Sequence, residues 1–355
     1  MVRVKRSQLR EGCVLAEDVL GKTKRPIIPK NTVITKPLLL VLEKFLVEEV
    51  DVEPLLANGE PFPNVDSAST AVAKQPMAFY LEAVQRYKTW FQSWQAGLPV
   101  DIGEIRGVII SLFERMAGQK RELLMLHHYA TKDEYLHHHA VSVGLLAGFL
   151  AMQLGYSEGE CHQIALAGVL ADCGMAKVSK RILTNPSALT EAEFNEVKQH
   201  PVFSYRMVQK IPALNHGAKL AVLQHHERND GSGYPLGVKA ERIHPYSQIV
   251  AVADVYHAMT SERLYRRKQS PFRAIETMQR EQFGKLSTEA VAALVNNLIG
   301  LQTGAVVKLS NGEMAEVMFI PSDEPARPIV KIIETGQLLS LSVQRDIYIE
   351  EMVQG

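Results

Sequence analysis

At 355 residues the chain is long enough for two or three domains. Apolar residues make up 46% and charged residues 22%, an ordinary globular balance that argues against a disordered chain. Lys+Arg 39 matches Asp+Glu 39, so there is no basic footprint for a nucleic-acid polymer or a membrane surface.

Three widely spaced cysteines, Cys13, Cys161 and Cys173, make no disulfide framework, and residues 1–10 are basic without an apolar run. The apolar runs 143–154 and 164–170 are too short or too interrupted to span a bilayer. A cytoplasmic protein without a signal peptide is expected.

Residues 1–60 lean towards β. Short apolar runs at 12–16, 26–29 and 32–35 lie between turn residues, 38–46 has a helical pattern, and 47–52 alternates like a strand. They form a small accessory domain of mixed α+β character. Residues 57–75 are rich in Asn, Gly, Pro, Ser and Thr and suggest a linker. Two helical stretches follow, 76–96 and 102–130, with Phe79, Val84, Tyr87, Phe91 and Trp94 at helical spacing in the first. We read 61–130 as linker and helical connector. From 131 to 300 the pattern of apolar helix and turn repeats without a useful strand candidate, which predicts a helical bundle. Residues 301–355 return to β around Asn311-Gly312, a hairpin signal. The expected fold is mainly α, with a small C-terminal β-module.

Chemistry concentrates in the bundle. His139, Asp172, His200, His226 and Asp254 recur at gaps of 33, 28, 26 and 28 residues. Each gap is about a helix plus a loop, which lets successive helices each offer one inward side chain to a shared centre. Asp172 and Asp254 follow apolar runs, where a lone carboxylate is costly and a cation would offset the cost. Imidazole with carboxylate suits iron, manganese or zinc. His225 and His226 precede Glu227-Arg228-Asn229-Asp230-Gly231-Ser232-Gly233-Tyr234-Pro235, a helix end running into a tight loop.

These segments, with Leu170-Ala171-Asp172-Cys173-Gly174, Lys198-Gln199-His200-Pro201, Ala253-Asp254-Val255-Tyr256 and Thr260-Ser261-Glu262-Arg263, resemble an HD-GYP domain over residues 133–300. That family is the branch of the HD phosphohydrolases that hydrolyses the bacterial second messenger cyclic di-GMP. The resemblance implies a divalent metal site, of iron or manganese first and one or two ions here, with His139, Asp172, His200, His225, His226 and Asp254 as ligands. It implies catalytic parts for Asp172 and Arg263. It also implies a nucleotide pocket shaped by Gly231, Gly233, Tyr234 and Pro235, with Arg263 on a phosphate.

The chain departs from the family pattern at three positions. The adjacent His-Asp pair is here Ala171-Asp172, and a methyl group ligates nothing. The family's lysine three positions after that Asp is Met175, and Lys177 need not reach. The carboxylate used by three-metal members is Tyr135, with Glu134 one step, about 100° of helix rotation, away. A lost ligand and a lost lysine act on one transition state, so impaired hydrolysis is expected, with metal and nucleotide binding kept. The alternatives are an active phosphodiesterase with a rearranged metal site and a non-enzymatic, partner-binding scaffold. In the rearranged site His257, His137 or His138 would replace the lost donor; solvent-facing side chains are the other reading of these three. Expected partners are cyclic di-GMP or a related nucleotide, a protein at the Gly-Tyr-Pro loop, and a second copy of the chain.

Overall fold

The computed structural model describes residues 1–21, 26–63, 76–185, 187–262, 268–281, 284–298, 303–322 and 324–354. The chain is mainly α. In the N-terminal part β1 (Val2–Lys5) pairs antiparallel with β4 (Glu49–Val52), and β2 (Val19–Leu20) with β3 (Pro26–Ile28); α1 (Lys36–Lys44) lies between β3 and β4 in the chain. Most of the expected linker, 64–75, falls outside the described residues.

The first long helix is α2 (Pro76–Gln95), which buries Val84, Tyr87, Phe91 and Trp94 as their spacing predicts, and buries Tyr80 where the half-buried Phe79 was expected. The single expected helix over 102–130 is instead α3 (Ile102–Met116), α4 (Lys120–Leu124) and a 3-10 turn, Leu126–Tyr129. Ala117-Gly118 interrupts it, Gly being a weak helix former. The bundle then runs through α5 (Tyr135–Gln153), α6 (Glu158–Leu170), α7 (Lys180–Leu183), α8 (Glu191–Val197), α9 (His200–Val208), α10 (His216–Gln224), α11 (Pro245–Thr260), α12 (Pro271–Glu281) and α13 (Thr288–Leu298). Local signals start several of these. Thr190 and Glu193 form a capping box at α8, Asn215 accepts from Ala218 N at α10, and Pro245 opens α11.

α5 is buried almost all round, from His138 to Ala151, so it is the axis of the bundle rather than a surface helix. α6 crosses it where Gly144 meets Gly168. A Cβ on Gly144 would collide with Val169 and lie 2.8 Å from Ala165 O; one on Gly168 would lie 2.8 Å from Gly144 Cα. One apolar core joins α2 and α3 to the bundle and takes in Val14, Val33 and Ala57 of the N-terminal part. The C-terminal residues form a five-stranded antiparallel sheet, ordered β8-β7-β6-β5-β9, from β5 (Val306–Leu309), β6 (Met314–Phe319), β7 (Ile329–Ile332), β8 (Leu338–Ser340) and β9 (Ile349–Gln354). Gly312, with φ of +88°, turns the hairpin between β5 and β6.

Candidate metal centre

Six side chains from five places in the chain meet at one end of the bundle. His139 lies in the first turns of α5 and Asp172 just past α6. His200 opens α9, His225 and His226 follow α10, and Asp254 lies in α11. The Gly144–Gly168 crossing brings α5 and α6 close, four residues before Asp172 and five after His139. A second clip sets α9. Ser204 Oγ donates to Ala171 O at 2.6 Å and accepts from Gly174 N at 2.7 Å. Gly174 permits it, since a Cβ there would run into the backbone of His200 and Ser204.

The imidazole tautomers follow from the backbone. His200 Nδ1 lies 2.7 Å from Val197 O and His225 Nδ1 lies 3.0 Å from Val222 O, so each donates its Nδ1 proton to the carbonyl three residues earlier. That leaves the two Nε2 lone pairs facing each other at 3.2 Å, with Asp172 Oδ1 at 3.0 Å from the first and 3.4 Å from the second. Two lone pairs and a carboxylate at such range repel unless a positive charge sits among them. The electrostatics of the cluster make the same demand. Burial alone would raise Asp172, but the hydrogen bond and charge of His200 hold it well below the usual carboxylate range. Burial opposes protonation of His200, yet Asp172 lifts it above the ordinary imidazole value. Burial and the neighbouring charge of His225 keep His226 well below that value. The donor atoms of Asp172, His200, His225 and His226 all lie within 4.8 Å of one another, a donor set that fits a first-row divalent metal.

The His139 side is built differently. Nε2 lies 2.9 Å from Asp254 Oδ1 and 3.6 Å from Asp172 Oδ2. Nδ1 lies 3.0 Å from Tyr135 Oη and 3.0 Å from His257 Nδ1. Asp254 is also pressed below its usual range: burial raises it, and His226 and His139 outweigh burial. Its second oxygen lies 3.6 Å from His226 Nδ1.

The Gly-Tyr-Pro loop forms one rim. Glu227, 2% exposed, accepts from Leu236 N at 2.6 Å and Val238 N at 3.1 Å, which folds the loop back on its own start. A Cβ on Gly233 would collide with the backbone at 226–228, and Gly231 takes a φ of +82°. Tyr234, joined to Pro235 by a cis peptide bond, sets its ring 4.7 Å from the ring of His226. Lys198 Nζ lies 5.9 Å from the same Tyr234 ring.

Ala171 is buried in the core. Lys177 does not stand in for the missing lysine, because its Nζ donates to Trp94 O at 2.6 Å. Glu134 does not stand in for the missing carboxylate; it pairs with Lys88 Nζ at 2.8 Å and His137 Nδ1 at 2.9 Å. The solvent-facing reading fails for all three spare histidines. His137 is held by Glu134. His138 is fully buried, and burial lowers it to about 4. Neutral, it donates from Nε2 to Ala57 O at 2.8 Å and accepts at Nδ1 from Tyr80 Oη at 2.9 Å. His257, 1% exposed, reaches the site, but on the Nδ1 edge of His139 rather than among the carboxylates. Arg263 lies outside the described residues. Ser204, Gly174, Gly144 and Gly168 carry no chemical signature in sequence; small residues in apolar runs were the one available hint.

An HD domain family model matches residues 124–286. Over 242 residues the chain is 31% identical to a cyclic di-GMP phosphodiesterase of Pseudomonas aeruginosa, covering 68% of this chain and 58% of that protein. Over 179 residues it is 41% identical to a cyclic di-GMP phosphodiesterase of Thermotoga maritima, covering 49% and 47%. The match thus spans about half the length of these relatives. Among solved structures, an HDG"Y"P protein of Bdellovibrio bacteriovorus superposes with a TM-score of 0.53 at 14% identity, over 84% of this chain and 99% of that one, a likeness of fold.

Proposed function

Because the chain belongs to the HD-GYP branch of the HD-domain family, we propose that it serves cyclic di-GMP signalling as a metal-binding member whose hydrolytic step is weakened. The observation that carries the metal-binding part is the pair of carbonyl-fixed imidazoles, His200 and His225, aimed with Asp172 at one point. A divalent ion there would neutralise phosphate charge and lower the pKa of a bound water.

The chain's own residues supply the rest. Asp172 and His200, His225 and His226 would hold the ion. The Tyr234 ring and the glycines beside it give a flat wall on which a purine can lie. We assign Arg263 to a phosphate from its place in the motif and the fit of a planar guanidinium to that group. What is missing is equally local. Ala171 offers no donor, Met175 offers no cation, and Lys177 is committed to Trp94 O. With less positive charge at the scissile phosphate, the transition state loses more than the bound nucleotide does.

The test mixes metal-loaded protein with cyclic di-GMP and follows the linear dinucleotide and GMP, with binding measured by calorimetry. Binding with turnover well under about 1 s⁻¹ is expected. Turnover in the ordinary enzyme range overturns the reading.

A further inference from the structure

The two halves of the site differ in whether they need an ion. At His200 and His225 the Nδ1 protons are already given to Val197 O and Val222 O, so the two Nε2 atoms face each other at 3.2 Å beside Asp172 Oδ1 and need a positive charge, a proton or a cation, among them. At His139 every polar atom finds a complementary partner inside the protein. Nε2–H can donate to Asp254 Oδ1 at 2.9 Å, and Nδ1 can accept from the Tyr135 hydroxyl at 3.0 Å. The ring of Tyr135 also lies parallel to that of His139, at 5.0 Å and 25°. His257 approaches the same Nδ1 edge, and Ser261 Oγ lies 3.3 Å from both of its ring nitrogens. Ala171, buried in the core, adds no donor to this side.

We infer that the centre takes one divalent cation per chain, in the cage of Asp172, His200, His225 and His226, and that the His139–Asp254 pair, braced by Tyr135 and His257, takes no ion of its own. His257 is then a positioning residue behind His139 and not a replacement ligand. The imidazole edge it touches is the Nδ1 edge and not the Nε2 edge facing the two carboxylates, so its contact with the cage runs through His139. Outer partners of this kind fix ring orientation. Three nitrogens and one oxygen suit zinc, and also iron or manganese with water completing the shell.

This inference rests on the metal-binding part of the proposed function alone, and its test uses no nucleotide. The full chain is loaded with excess zinc(II) or manganese(II), desalted, and assayed for ions per chain by elemental analysis. One ion is expected. His200→Gln and His225→Gln should lose it, whereas His139→Gln should retain one ion with its affinity lowered by less than tenfold. The manganese form should show the magnetic resonance hyperfine pattern of an isolated ion. A content of two or of none, loss of the ion in His139→Gln, or the spectrum of a coupled pair each overturns the inference. Circular dichroism of each variant checks that a lost ion is not a lost fold. Should His200→Gln unfold, the wild-type count and spectrum still decide. A failed hydrolysis assay leaves the ion count untouched, and rapid turnover on one ion would refute the proposed impairment without refuting the count.

Discussion

The bundle and the C-terminal β-module bury different things. The interior of the bundle holds His138, His139, Ser142, His200, Ser204, Gln224, His225, Glu227, Ser247, Asp254 and His257. Among the described residues of the β-module, the buried polar side chain is Arg327, inside an otherwise apolar core of Val307, Val317, Val330 and Leu341. Polar burial costs free energy unless each group is partnered, so a module needs little of it for stability. The dense polar interior of the bundle, which holds the candidate metal centre, thus contrasts with a sheet whose interior is mostly apolar.

The largest effect is expected where the module resembles the bundle. Arg327 donates to Glu276 of α12 and to Leu341 O and Ile347 O. Arg327→Ala removes a buried guanidinium with its three bonds and leaves the half-buried Glu276 only its longer contacts to Arg280 and Arg345, so it should cost about 2–4 kcal/mol, read as lost hydrogen-exchange protection in β5–β9. A change no larger than that of a surface charge would break the comparison.

Gly174→Ala sharpens the other side. The added methyl meets backbone atoms of His200 and Ser204, which cannot rotate away. About 1–3 kcal/mol of destabilisation is expected, together with weaker metal binding, because the clash moves α9 and its histidine. Unfolding in urea and metal titration measure the two parts.

Glu134 tests whether a polar contact beside the site stabilises in a pH-dependent way. Burial raises its carboxyl, but His137 and Lys88 bring it down to about 2 in the fold. Its stabilisation is therefore full above about pH 4.5 and disappears as pH falls towards 2. Glu134→Gln should cost about 1–2 kcal/mol at neutral pH and little near pH 2. A penalty independent of pH contradicts this. The smallest effect belongs to the β-module: Gly312→Ala, at φ of +88°, should cost about 1 kcal/mol and leave metal content unchanged.

Much of this was legible in the chain itself. Helical periodicity located α2, a glycine turn located the β5–β6 hairpin, and the spacing of His and Asp singled out residues that do converge. Those signals are local, or repeat once per helix, so they survive without coordinates. Other features depended on distance in space. Nothing in the sequence around Gly144, Gly168 and Gly174 says that α5 meets α6 at the first two and that α9 packs on the third, because a missing Cβ matters only against a neighbour far along the chain. Lys177 need not have reached the site and Glu134 stood one step off it; Trp94 O, Lys88 and His137 hold them elsewhere. His257 looked exposed and is buried behind His139. Sequence decided which side chains can donate to a cation; only the tertiary packing decided which lone pairs are left facing one another and which already have a proton to accept.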